Sequence, residues 1–129
     1  MHWVLALIYE QKGMNNEAIA EIQRVITVLG RTDDNLAQLG RAYALAGNRR
    51  EVMKILNEMK ELSKERYVSA ESIAVVYASL GERDQAFEWL DKSFKQGDSH
   101  NGLKVDPQWD SLRSDPRFAQ LLRRVGLTP

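Results

Sequence analysis

The sequence predicts an all-α solenoid of three antiparallel helix pairs closed by a C-terminal capping helix. Three observations carry this. Gly13, Gly47 and Gly81 stand 34 residues apart, and a fixed period of that length is the signature of stacked supersecondary repeats. Tyr9, Tyr43 and Tyr77 keep the same phase ahead of each glycine, and Ala18, Val52 and Ala86 keep it behind. Each glycine closes an apolar, helix-patterned stretch and is followed by a polar turn and a second such stretch.

In the first unit, about residues 2–30, Val4, Leu5, Leu7, Ile8 and Tyr9 form a broad apolar helical face from Trp3 to Lys12. Gly13 sits where a left-handed C-cap is wanted. Asn15 or Asn16 is the expected cap of the next helix, in which Ala18, Ile19, Ile22, Val25, Ile26 and Leu29 recur at spacings of three and four. The second unit, about 33–64, starts at Asp33 or Asp34 as N-cap and carries Leu36, Leu39, Gly40, Tyr43 and Leu45 before Gly47. Asn48 then opens a helix with an inward stripe of Val52, Ile55, Leu56, Met59 and Leu62 and a charged outer face. The third unit, about 68–97, repeats the scheme with Ala70, Ile73, Ala74, Tyr77 and Leu80, then Ala86, Phe87, Leu90 and Phe94.

Residues 98–129 differ. A polar, glycine-bearing connection leads to Asp106-Pro107, echoed by Asp115-Pro116, each an N-cap followed by proline at the first helical position. The first start predicts a single turn and the second a helix to about Val125, stopped by Gly126. Trp109, Leu112, Phe118, Leu121 and Leu122 would lie on the last repeat, with Arg113, Arg117, Arg123 and Arg124 in water. This tail reads as a cap, and the whole of 1–129 as one domain.

Eighteen basic and eighteen acidic residues cancel, which removes the electrostatic drive of a nucleic-acid or membrane-surface binder. The absence of cysteine removes disulfides, thiolate chemistry and zinc cages, and His2 and His100 are far apart, so neither metal nor cofactor is expected. The apolar run from Trp3 to Tyr9 is too short to span a bilayer and follows no charged leader, pointing to a cytoplasmic chain. Helical pattern begins almost at Met1 without a capping residue, so truncation is expected, the alternative being a native terminus whose first helix packs inward.

With the period established, the chain resembles the tetratricopeptide repeat family over about residues 2–98. Unit two offers Leu36, Leu39-Gly40, Tyr43, Gly47 and Leu56; unit one offers Leu5-Ala6, Tyr9, Gly13, Ala18 and Ile22; unit three offers Ile73-Ala74, Tyr77, Gly81, Ala86 and Leu90. The closing proline of the consensus is missing from all three units. The resemblance implies a right-handed solenoid and a protein-binding role. The tail resembles the closing segment of bacterial proteins in which such an array follows a DNA-binding, cyclase or kinase domain, which implies a regulatory end piece.

In that family the first helix of each pair lines a concave groove. The matching residues most exposed to a partner are Trp3, Leu7, Gln11, Asp34, Gln38, Arg41, Leu45, Glu71, Ser72 and Val75. Trp3, Leu7, Gln38, Val68 and Ser72 occupy the places where some members carry a carboxylate clamp, which argues against one here. An apolar floor with scattered polar groups suits an amphipathic helix or extended peptide. The alternative is a regulatory or oligomerisation segment that docks through its first helix, including onto a second copy. The acidic pairs sit at turns or on solvated faces, and Ser63, Ser69, Ser93 and Ser111 have no base partner by motif, so no catalytic residue is assigned and the chain is read as a non-enzyme.

Overall fold

A computed structural model describes residues 4–65, 68–96 and 107–124. The chain runs through α1 (Val4–Gln11), α2 (Asn15–Leu29), α3 (Asp33–Leu45), α4 (Arg49–Leu62), α5 (Ala70–Ser79), α6 (Arg83–Gln96), a 3₁₀ helix (Pro107–Leu112) and α7 (Pro116–Arg124), with no strand among the described residues. Helices α1 and α2, α3 and α4, and α5 and α6 pack as pairs, and α2–α3 and α3–α5 contacts join one pair to the next.

The glycine-to-tyrosine phase has a backbone cause. Gly47 adopts φ +78°, a region that L-residues with a Cβ rarely enter. That turn lets Gly47 N donate to Ala44 O at 3.0 Å and Asn48 N donate to Tyr43 O at 2.9 Å, the two bonds of a Schellman motif. The same pair recurs at the first glycine (Gly13 N to Glu10 O, Met14 N to Tyr9 O) and the third (Gly81 N to Ala78 O, Glu82 N to Tyr77 O). Each tyrosine therefore marks the carbonyl that receives the reversing chain.

Helix starts are less regular than the sequence suggests. Asn48 caps α4 as expected, accepting from Glu51 N. Neither Asn15 nor Asn16 caps α2: Met14 holds that place, and Asn15 Nδ2 instead donates to Leu45 O at the end of α3. Nor do Asp33 or Asp34 cap α3. Thr32 does, through Asn35 N, which releases both aspartates to reach forward, Asp33 Oδ2 accepting from Ser69 N and Asp34 Oδ1 from Ser72 Oγ. Two polar side chains thus serve the neighbouring repeat instead of their own helix.

One apolar cluster runs from Ile22 through α3, α4, α5 and α6 to Leu122. Two helices approach closely at Gly40, where a Cβ would lie 3.2 Å from both methyls of Val76. This explains the small residue in that phase, since α3 and α5 could not otherwise meet so closely.

The tail continues the repeat register. Ser111 Oγ donates to Ala78 O, Arg117 pairs with Asp84, and Arg124 pairs with Asp91, each across a separation of 33 residues. The link between the second and third pairs, Arg49 to Glu82, spans the same separation. Two rungs seven residues apart on both helices set α7 parallel to α6. The 3₁₀ helix thus takes the place of a first helix on α5, and α7 that of a second helix. Arg117 and Arg124 are therefore less free than the sequence reading has them: besides these pairs, they stack over Phe87 and Phe94 at 4.5 and 4.7 Å. Val125 and Gly126, the expected helix stop, and the connection at 97–106 lie outside the described residues.

Candidate functional site

The strip expected to face a partner is drawn from α1, α3 and α5, and the three helices present it very differently. Trp3 lies outside the described residues, as does the side chain of Leu7. Gln11, the last residue of α1, is exposed. On α3, Asp34 is exposed, Gln38 and Arg41 are half-buried, and Leu45 is 45% exposed. On α5, Glu71 is half-buried, but Ser72 and Val75 are only 6% and 4% exposed. Val68, also expected on this face, is buried as well. Helix α5 is packed by α3, α4, α6 and the 3₁₀ helix, so its part of the strip presents little side chain to a partner. Accessible groups concentrate between the end of α1 and the end of α3.

There the structure joins Arg41, one of the expected groove residues, to Glu10 of α1. Arg41 Nη1 donates to Glu10 Oε1 at 2.7 Å, with side chains 12% and 3% exposed. The second carboxylate oxygen, Glu10 Oε2, is buried and has no hydrogen-bond partner. Burial raises the Glu10 carboxyl above its ordinary value, and the Arg41 charge and hydrogen bond only partly offset it. A buried carboxylate with one satisfied oxygen is costly, so this junction is weaker than an apolar one. The repeat register carries the signal: Ala44 and Ala78 stand at the positions of Glu10, and Leu7 and Val75 at those of Arg41. At this one register position the first inter-repeat junction places a buried ion pair where the next places Ala44 and Val75.

A second joined pair, Asp34 with Ser72 at 3.3 Å, closes the other end of the strip. Tyr43 and Tyr77 serve as wedges with occupied hydroxyls, Gln23 donating to the first and Lys60 to the second. Among the described residues no group of three or more His, Asp or Glu side chains converges, and no helix is long and apolar enough to cross a membrane.

Paired helices, glycine reversals at a 34-residue phase and one continuous core define an all-α repeat solenoid. Residues 1–28 match the family model described as a tetratricopeptide repeat. That segment is thus similar to a tetratricopeptide repeat, and the all-helical arrangement of paired helices is that of a tetratricopeptide-like α-solenoid. The family match falls on the first unit, although residue by residue the second unit most resembles the consensus. No curated protein and no solved structure matches the chain closely. Tetratricopeptide repeats are scaffolds for protein interaction and generally carry no catalysis.

Proposed function

We propose that the chain is a protein-interaction module that seats a peptide or an amphipathic partner helix along the strip from Gln11 to Leu45. The observation that carries the reading is Leu45, a large apolar side chain left 45% exposed one helical turn from Arg41. An apolar anchor beside a charged group is what a helix-in-groove partner needs. The usable strip is Gln11, Asp34, Gln38, Arg41 and Leu45, with Glu71 at its edge; Ser72 and Val75 support it from below, and Trp3 and Leu7 would extend it. Neither nucleic acid nor a membrane surface is proposed as partner, since the net charge is zero. Selecting a displayed library of amphipathic helical peptides on the full chain tests the reading. Selected binders should lose about tenfold or more in affinity against Leu45→Glu, with the unfolding transition unchanged. A library that yields no binder, or binders indifferent to Leu45→Glu and to the joint replacement of Arg41 and Leu45, would overturn it.

A second reading makes the chain a regulatory or assembly segment of a larger bacterial, cytoplasmic signalling protein, docking through its first helix. The exposure of Leu5 and Ile8 on α1 favours it.

A further inference from the structure

Among the described residues, the buried side-chain polar atom left without a hydrogen-bond partner is Glu10 Oε2. The Glu10 side chain is 3% exposed, and its other oxygen accepts from Arg41 Nη1 at 2.7 Å. Arg41 is 12% exposed and belongs to the strip, and Gln11, next to Glu10 in α1, is exposed. The vacant acceptor therefore lies one side chain below the surface that a partner touches. The scaffold does not require it: Ala44 and Ala78 stand at the same register position. A buried carboxylate oxygen with no donor carries an uncompensated desolvation cost, which an arriving donor removes. The charges of the strip have the same sign. Asp34, exposed, and Glu71, half-buried, add two carboxylates towards the starts of α3 and α5, and Arg41 is the one cation on the strip.

We infer that the strip takes a cationic partner: an amphipathic helix whose apolar residue covers Leu45 and whose lysine or arginine reaches down to donate to Glu10 Oε2, an inference that rests on the interaction-module reading. Three arguments select a cation. The backbone N–H groups along a helical partner are spent within its own helix, so the donor must be a side chain. A neutral hydroxyl or amide would fill the acceptor but leave the buried charge, whereas an ammonium or guanidinium does both. An acidic partner would instead bring another carboxylate towards Glu10 and Asp34, and like charges brought together at an interface oppose binding. One ion serving two of opposite sign already occurs in this chain: Arg117 pairs with both Asp84 and Asp115. Spacing follows from α3. Leu45 stands one turn beyond Arg41, so the basic and apolar residues of the partner lie one turn apart, three or four residues along its helix.

Two displayed libraries of amphipathic helical peptides test this on the full chain. They share an apolar face and differ one turn from its anchor residue, where one carries lysine and the other glutamate. Binders should come from the lysine library, and replacing that lysine by alanine should weaken binding about tenfold. Against the Glu10→Gln chain, which keeps an oxygen for Arg41, the same replacement should cost about twofold or less, the difference isolating the lysine–Glu10 contact. Should Glu10→Gln not fold by circular dichroism, the joint change Glu10→Ala, Arg41→Val, which reproduces the Ala44 and Val75 pair of the next junction, gives the same comparison. Binders drawn from the glutamate library would overturn the inference and leave the interaction-module reading standing. So would a lysine whose loss costs the same against both chains. If neither library yields a binder, both readings fall.

Discussion

Between the first helix pair and the third, equivalent positions meet opposite fates. In α5 every residue from Ala70 to Ala78 except Glu71 is buried, and its neighbours close on it from four elements. Helix α1 packs mainly on α2, leaves Leu5 and Ile8 in water, and reaches α3 through a buried ion pair with one orphan oxygen. The helices themselves form by the same rules at both ends, since the reversals at Gly13 and Gly81 share one hydrogen-bond pattern. What differs is the neighbour. A repeat builds half of its own core, and the adjacent unit supplies the rest, so stability should be graded along the stack.

The largest expected effect lies in the cap. Trp109 is 1% exposed and belongs to the continuous core, so Trp109→Ala should cost about 3–5 kcal/mol in transfer and cavity terms. Leu5→Ala, at a side chain 41% exposed, should cost only about 1 kcal/mol. Urea unfolding of both variants checks the gradient. Similar losses at the two positions would mean that the first repeat is as well enclosed as the last.

That gradient was only partly legible beforehand. The period, the paired helices and the cap could be read from glycine, tyrosine and Asp-Pro spacings, because each reports a local backbone requirement. Capping was misassigned at Asn15 and at Asp33 or Asp34 because an amide or carboxylate near a helix start can bond its own helix or the next one, and only the packed neighbour decides. The burial of Ser72 and Val75 was likewise hidden: their spacing places them on the partner-facing side of α5 without saying how closely that helix is packed. The Glu10–Arg41 junction was within reach. Comparing Glu10 with Ala44 and Ala78 marks a charge where the repeat otherwise places a methyl group.

A smaller effect should mark the buried ion pair at the first junction. Arg41→Met removes the hydrogen bond that Arg41 gives to a carboxylate that remains buried, and should cost about 1–3 kcal/mol. Glu10→Gln keeps an oxygen for Arg41 and removes the charge that burial disfavours, so it should change stability by under about 0.5 kcal/mol. Hydrogen exchange should place the Arg41→Met loss in α1 and α2, with α5 amides unaffected. A uniform loss along the chain would mean that the repeats unfold as a single unit and that the first junction is not a weak point.

The smallest and most local contrast is in pH. The Glu10 carboxyl is raised above 4.5 chiefly by burial, so the folded chain binds that proton more tightly than the unfolded chain. The associated stabilisation is complete below about pH 4.5 and is lost as pH rises through the folded value. Asp115 behaves oppositely. Its hydrogen bonds from the Arg117 side chain and backbone hold it at about 2, against an ordinary 3.8, so its contribution is present above pH 3.8 and is lost as pH falls towards 2. Carboxyl ¹³C titration by NMR should therefore give a Glu10 midpoint above 4.5 and an Asp115 midpoint near 2. Acidification from neutrality should tighten the first junction before it loosens the start of α7. A Glu10 midpoint below 4.5 would mean that Arg41 outweighs burial, and the ionic junction would then stabilise the first repeat instead of weakening it.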